Sequence, residues 1–171
     1  MTKPKRGDML QTFDDTSISW LTRLVRDQRS AALATLGSEG GPSVSLVAFA
    51  ESRDFDVFWL HLSELAAHKG QLRADPRCGL MIADPDDGRT EPLQKHRLML
   101  HCHAEIVGRD HDDYAAAKAR YLAKLPRHEM MFSLGDFDLV RLSVTGGMLN
   151  AGFGKAYRVT PEILARAAEI E

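Results

Sequence analysis

The sequence predicts a mainly β fold of the α+β kind: an antiparallel barrel or sandwich of six or seven strands with three or four helices. Three observations predict it. Short apolar or β-branched segments recur along the chain. Turn clusters rich in glycine, proline and aspartate separate them. Few segments carry a helical period, which leaves too few crossovers for a doubly wound parallel sheet. At 171 residues the chain fits about one domain. We assign residues 14–171 to that domain and 1–13 to a loose polar tail.

The elements follow in order. Asp14, Asp15 and Thr16 offer capping oxygens, and Ile18, Leu21, Leu24 and Val25 recur at helical spacing; this predicts a helix over 16–27. Residues 30–36 (SAALATL) form a first strand, and Gly37-Ser-Glu-Gly-Gly41-Pro42 a turn. Residues 43–49 and 56–62 (DVFWLHL) add two strands around a turn at 52–54. Together the three predict an antiparallel meander. Ser63 is placed to cap a second helix that ends before Asp75-Pro76. Residues 78–83 (CGLMIA) predict a buried strand, 84–96 a long charged loop and 97–107 a long strand. A helix is expected over 111–125, then two strands over 137–144 and 147–153. Thr160-Pro161 opens the last helix, with threonine as cap and proline in the first turn.

Composition narrows the function. Apolar residues make up 44% and charged residues 27%, values of a globular chain and not a disordered one. The formal charge is −2 and the pI about 6.4, against a nucleic-acid binder held by phosphate neutralisation. No apolar run is long enough to span a membrane, and the basic start lacks a signal core. Two cysteines, Cys78 and Cys102, are too few for a disulfide framework and fit a reducing cytoplasm.

Several motifs invite chemistry and fail on spacing. His101 and His103 share one face of a strand, but structural zinc needs about four ligands and no other histidine has matching spacing. We therefore expect no metal there, only a polar face or a subunit contact. Asp84-Pro-Asp86-Asp87-Gly88 lacks the bidentate glutamate of a calcium loop. Gly152-Phe-Gly154-Lys155 fails the P-loop pattern, because Leu149 and Ala156 stand where glycine and serine or threonine belong. No residue qualifies as a catalytic acid, base or nucleophile.

The passage Leu60-His-Leu-Ser63 into Glu-Leu-Ala-Ala-His68-Lys69-Gly-Gln71 is more informative. A strand ends in a serine hydroxyl, and a helix start follows with two basic side chains. Such a corner suits a phosphate, because helix N-termini attract anions.

The same passage, residues 43–50, Ala74-Asp-Pro-Arg, Arg77-Cys-Gly-Leu-Met-Ile, Gly135-Asp-Phe-Asp-Leu-Val-Arg-Leu and Gly152-Phe-Gly-Lys-Ala together resemble one family. It is the pyridoxamine-phosphate-oxidase-like FMN-binding split barrel, and within it the haem-utilisation branch. The resemblance implies a six-stranded antiparallel split barrel with flanking helices, dimeric, with cofactor at the subunit interface. It places Ser45, Leu46 and Val47 on the second strand beside the FMN phosphate, and His61 and Leu62 beside the flavin. Ser63, His68 and Lys69 fall at the phosphate corner, and Arg97 where a glutamine reaches the cofactor. Ala50 stands where the oxidases carry a substrate-contacting lysine, which argues against pyridoxamine-phosphate oxidation itself. The expected function is an FMN-dependent oxidoreductase of a small molecule. The alternative is a haem-binding or haem-degrading protein on the same barrel, with His101, His103 or His128 as substitute iron ligands. A cofactor-free binding module is the third reading.

Overall fold

A computed structural model describes residues 10–37 and 39–170. Residues 1–9 of the expected tail lie outside the described residues, as do Ser38 and Glu171. The rest of the tail is docked: the Gln11 amide donates to the Ala156 carbonyl at 2.8 Å, and Phe13 packs on Tyr157.

The chain runs α1 (Asp15–Asp27), β1 (Ser30–Leu36), β2 (Pro42–Ala48), β3 (Ala50–Glu51), β4 (Val57–Ser63), α2 (Ala67–Ala74) and β5 (Arg77–Ala83). It continues through β6 (His96–Val107), α3 (Tyr114–Lys124), a 3-10 segment (Pro126–Ser133), β7 (Phe137–Ala151), β8 (Ala156–Val159) and α4 (Pro161–Ala168). Six strands are long, as expected for a split barrel; β3 and β8 are short additions. All lie in one antiparallel sheet, ordered β2-β1-β5-β6-β7-β4-β3, with β8 on β7. Its two end strands, β2 and β3, are separated in sequence only by buried Phe49. A sheet whose opposite edges are one residue apart must curl, and it does so into an incompletely closed barrel.

The concave side holds the main core. Asp14 caps α1 in a reciprocal box with Ser17, and the predicted stripe Ile18, Leu21, Leu24 and Val25 packs with Leu33, Leu80, Ile82, Leu98 and Leu149. A second core forms on the convex side. There α3 and the 3-10 segment bring Ala117, Tyr121, Leu125 and Phe132 onto Ala50, Trp59, Val107 and Leu139.

Three expectations are corrected. The meander breaks after β2, because β4 pairs with β7 and β3 instead. The two strands expected over 137–144 and 147–153 are one, bulged at Thr145, which has no partner between Val144↔Cys102 and Gly146↔His101. Gly147 permits it: a Cβ there would lie 2.4 Å from the Met99 carbonyl oxygen. Helix α2 starts at Ala67 behind an uncapped Ala66, so Ser63 ends a strand and does not cap the helix.

Candidate functional site

The residues expected around a cofactor fall into three separate settings. The first is the corner between β4, α2 and β7. Lys69 is fully buried, and its Nζ pairs with Glu64 at 2.6 Å and Asp138 at 2.7 Å. Glu64 also holds Arg73. Hydrogen bonds from Arg73 and Lys69 hold the Glu64 carboxyl down at about 2. The Ser63 hydroxyl donates to Asp136 at 2.6 Å and accepts from the Leu65 amide at 3.1 Å. The corner therefore carries three carboxylates, and its lysine is already neutralised. His68 turns the other way, with Nδ1 3.1 Å from the Ser45 hydroxyl; burial lowers its pKa. Ser45 and His68 are thus the part of the phosphate set that the fold brings together.

The second setting surrounds His61. Strand alternation puts Leu62 in the concave core and His61 on the convex side. The imidazole is 5% exposed. It lies parallel to the Phe132 ring at 3.7 Å, with Tyr121 edge-on at 5.9 Å and Phe137 at 5.1 Å. Among the described residues neither ring nitrogen has a hydrogen-bond partner. Burial, and then the charge of His128, push its pKa down to about 4, so the ring is neutral at pH 7. A neutral imidazole keeps one bare lone pair and one N–H. Trp59, two residues back on the same face, floors a groove of about 610 Å³ also lined by Ala117, Arg53, Arg120 and Arg141.

The third setting is the uncovered remainder of the convex face. The register aligns Leu46, Ala32, Met81, Met99 and Met148 across five strands. Beside them run Val44, Ala34, Gly79, His101 and Gly146. Leu46 is 80% and Val44 71% exposed. Val47 points the opposite way, into the core. His101 and His103 are exposed on this face; among the described residues no three metal-ligating side chains converge. Arg97 is half-buried, with its guanidinium 3.5 Å from the Lys95 carbonyl. Val107, in line with Leu139 and His61, is ten residues further along β6, about 33 Å away. Within one chain, Arg97 and His61 belong to different sites.

Local patterns could not signal the residues that define the first two settings. Asp138 and Phe132 lie 69 and 71 positions from the side chains they meet. The Gly135-Asp-Phe-Asp stretch contains Asp136, Phe137 and Asp138, but nothing local to it indicates their roles.

A curled antiparallel sheet with its two edges joined at one residue, a helix in its bowl and a helical cover on its back defines the split-barrel class. Residues 21–148 match the sequence model of the family described as "Pyridoxamine 5'-phosphate oxidase", and the chain belongs to that family. It is 24% identical over 147 residues to "Heme oxygenase HutZ" of Vibrio cholerae, covering 85% of this chain and 82% of that protein. It is 41% identical over 105 residues to "Non-canonical heme oxygenase HOZ, chloroplastic" of Arabidopsis thaliana, covering 61% of this chain but 30% of the plant protein. Among solved structures, a heme binding protein from Mycobacterium smegmatis superposes with a TM-score of 0.78 at 26% identity, covering 91% of this chain and 62% of that one. By their names these three relatives bind or degrade haem. The expected split-barrel fold and family stand, and the comparisons favour the haem alternative over the flavin reading. Among the described residues no helix is long and apolar enough to cross a membrane.

Proposed function

We propose that this protein binds haem as a homodimer and serves in haem utilisation. The observation that carries the reading is the pairing of split-barrel family membership with relatives named for haem. The phosphate corner supports the same preference: Lys69 is spent on Glu64 and Asp138, which leaves an FMN phosphate few free donors. The residues fit a haem. His61 offers a neutral imidazole whose nitrogens are unpartnered, and apolar and aromatic surface flanks it. When bound, the iron would supply redox and oxygen chemistry. The chain's part is to provide a donor, seat the ring and exclude water.

The bare convex face supports the dimer. Large exposed apolar patches mark association surfaces, and a row of methionines packs adaptably against a partner. We place the subunit contact on the strip from Leu46 to Met148, and the protein in a reducing compartment, where free Cys78 and Cys102 persist.

The test is to add haemin and FMN separately to purified protein and follow each through gel filtration and sedimentation. We expect haemin to co-elute with a sharp intense absorption band, and the protein to sediment as a dimer. FMN co-eluting while haemin does not would return the site to a flavin. For the contact, Leu46→Lys should convert dimer to monomer; an unchanged dimer would move the interface elsewhere.

A further inference from the structure

We propose that Cys78 and Cys102 form a redox-active dithiol: hydrogen peroxide oxidises the pair to a disulfide across β5 and β6, and small thiols restore it. The inference stands apart from the cofactor reading and needs neither haem nor flavin.

The chain has two cysteines, and the sheet sets them face to face. The β5–β6 register pairs Cys78 directly with Cys102. Both side chains therefore leave the sheet on one face, where Cys102 is part of the concave core and Cys78 packs against it. The Ala104 amide donates to the Pro76 carbonyl at 2.8 Å, and the Asp84 amide to the His96 carbonyl at 2.9 Å. Steps of two residues inward from either bond make 78↔102 a hydrogen-bonded pair, with Cα atoms about 5.5 Å apart. That lies within the roughly 4.4–6.8 Å a disulfide spans. The Cys78 thiol already reaches the opposite strand, with Sγ 3.7 Å from the Cys102 carbonyl oxygen.

The two thiols are not equivalent. Cys78 is half-buried and Cys102 is 5% exposed, so an oxidant from solvent meets Cys78 first. The hydrogen bond between the thiols lowers the Cys78 pKa and raises that of Cys102, which burial raises further. Thiolate therefore forms at the sulfur that solvent reaches.

The chemistry closes within the pair and the oxidant. The Cys78 thiolate attacks one peroxide oxygen, the O–O bond breaks, and the released hydroxide takes the proton that Cys78 gave up and leaves as water. Cys78 is then a sulfenic acid. The Cys102 sulfur attacks the Cys78 sulfur, the S–O bond breaks, and a second water departs with the Cys102 proton. The pair loses two electrons and two protons, and the peroxide gains them. Two molecules of a small thiol reverse the bond by exchange and leave as their own disulfide. Side chains of a hydrogen-bonded pair stand wider apart than those of the pairs beside it. The bridge is therefore strained, and strained bridges are the readily reduced ones. A reducing compartment suits it, because disulfides formed there are transient.

The test treats folded, freshly reduced full-length protein with hydrogen peroxide, blocks the remaining thiols with N-ethylmaleimide and reads intact mass and linked peptides. Wild type should lose two hydrogens, take up no blocking group, yield a linked Cys78–Cys102 peptide and recover both thiols with dithiothreitol. The bridged form should show a raised urea midpoint, because the bond closes the loop between β5 and β6. Cys102→Ser should stop at a sulfenic acid on Cys78 that dimedone traps, and Cys78→Ser should leave Cys102 unoxidised at the same dose. Cys102 oxidising as fast in Cys78→Ser as in wild type would overturn the role given to Cys78. Wild type that keeps both thiols, gains oxygen without a bridge or bridges only between chains would overturn the proposal, and that result stands even where a variant folds poorly.

Discussion

Two buried polar side chains, eight residues apart, meet opposite fates. Lys69 is fully enclosed, and its charge is answered twice, by Glu64 and Asp138. His61 is 5% exposed, and nothing among the described residues answers it. Asp138 stands opposite Leu62 in the β4–β7 ladder, one residue along from His61↔Leu139. The same strand pair therefore supplies a partner on one face and withholds it on the other. A paired buried charge is a structural fixture. An unpaired buried imidazole is a cost the fold carries.

The largest expected effect breaks the paired side. Asp138→Ala removes one of two carboxylates from a buried ammonium and should cost about 3 kcal/mol, measured as a lowered urea midpoint. An unchanged midpoint would mean Glu64 alone suffices. Next comes pH. The His61 pKa, about 4 in the fold, lies below its ordinary value near 6.5, so the unfolded chain binds the extra proton first. The fold keeps its full stability with respect to this group above about pH 6.5 and loses about 3 kcal/mol of it as pH falls through about 4, where the buried ring must charge. Glu64, held down at about 2, adds acid sensitivity below its ordinary range near 4.5. The check is chemical denaturation at pH 7, 5.5 and 4, with His61→Phe flattening the upper part of the profile. At pH 7 the same variant should stabilise the protein by about 1 kcal/mol, because it removes an unsatisfied group. A loss of stability would reveal a partner for His61. The smallest effect is Tyr121→Phe, which gives up the hydrogen bond to His128 for about 0.5 kcal/mol and should loosen the cover. Faster amide exchange across 126–133 would register it; unaltered exchange would mean that the Phe132 stack alone holds the segment.

Most of the fold was legible because local pattern dictates it. The short apolar runs between turns place β1, β4, β5 and β6 to within a residue, and Thr160-Pro161 starts α4 as expected. Asp14 caps α1 because its carboxylate and Ser17 are three residues apart, within reach of any sequence reading. The failures share a cause. Gly146-Gly147 looks like a break, yet a bulge at Thr145 and tight contact with β6 carry one strand through it. Ser63 looks like a cap, yet Asp136, far along the chain, claims its hydroxyl. The basic pair His68-Lys69 looks like an anion seat until Asp138 arrives to neutralise half of it. In the site, the strand-to-helix passage named Ser63, His68 and Lys69, and the family resemblance named His61. Only tertiary structure could say which of them were spent and which were left free.

The one-residue passage through Phe49 has a consequence for how the molecule assembles. Joining the first and last positions of the sheet through a single buried ring makes the barrel a loop of pairings and not a stack. β1–β2, β3–β4 and β7–β8 are close hairpins; β4–β7 closes across some eighty positions and β1–β5 across nearly fifty. Topologies dominated by such distant pairings fold over milliseconds to seconds. Until β4 reaches β7, the edges of both strands lie unpaired, and open strand edges are where one chain recruits another. Pairing across those eighty positions is the step that ends this exposure.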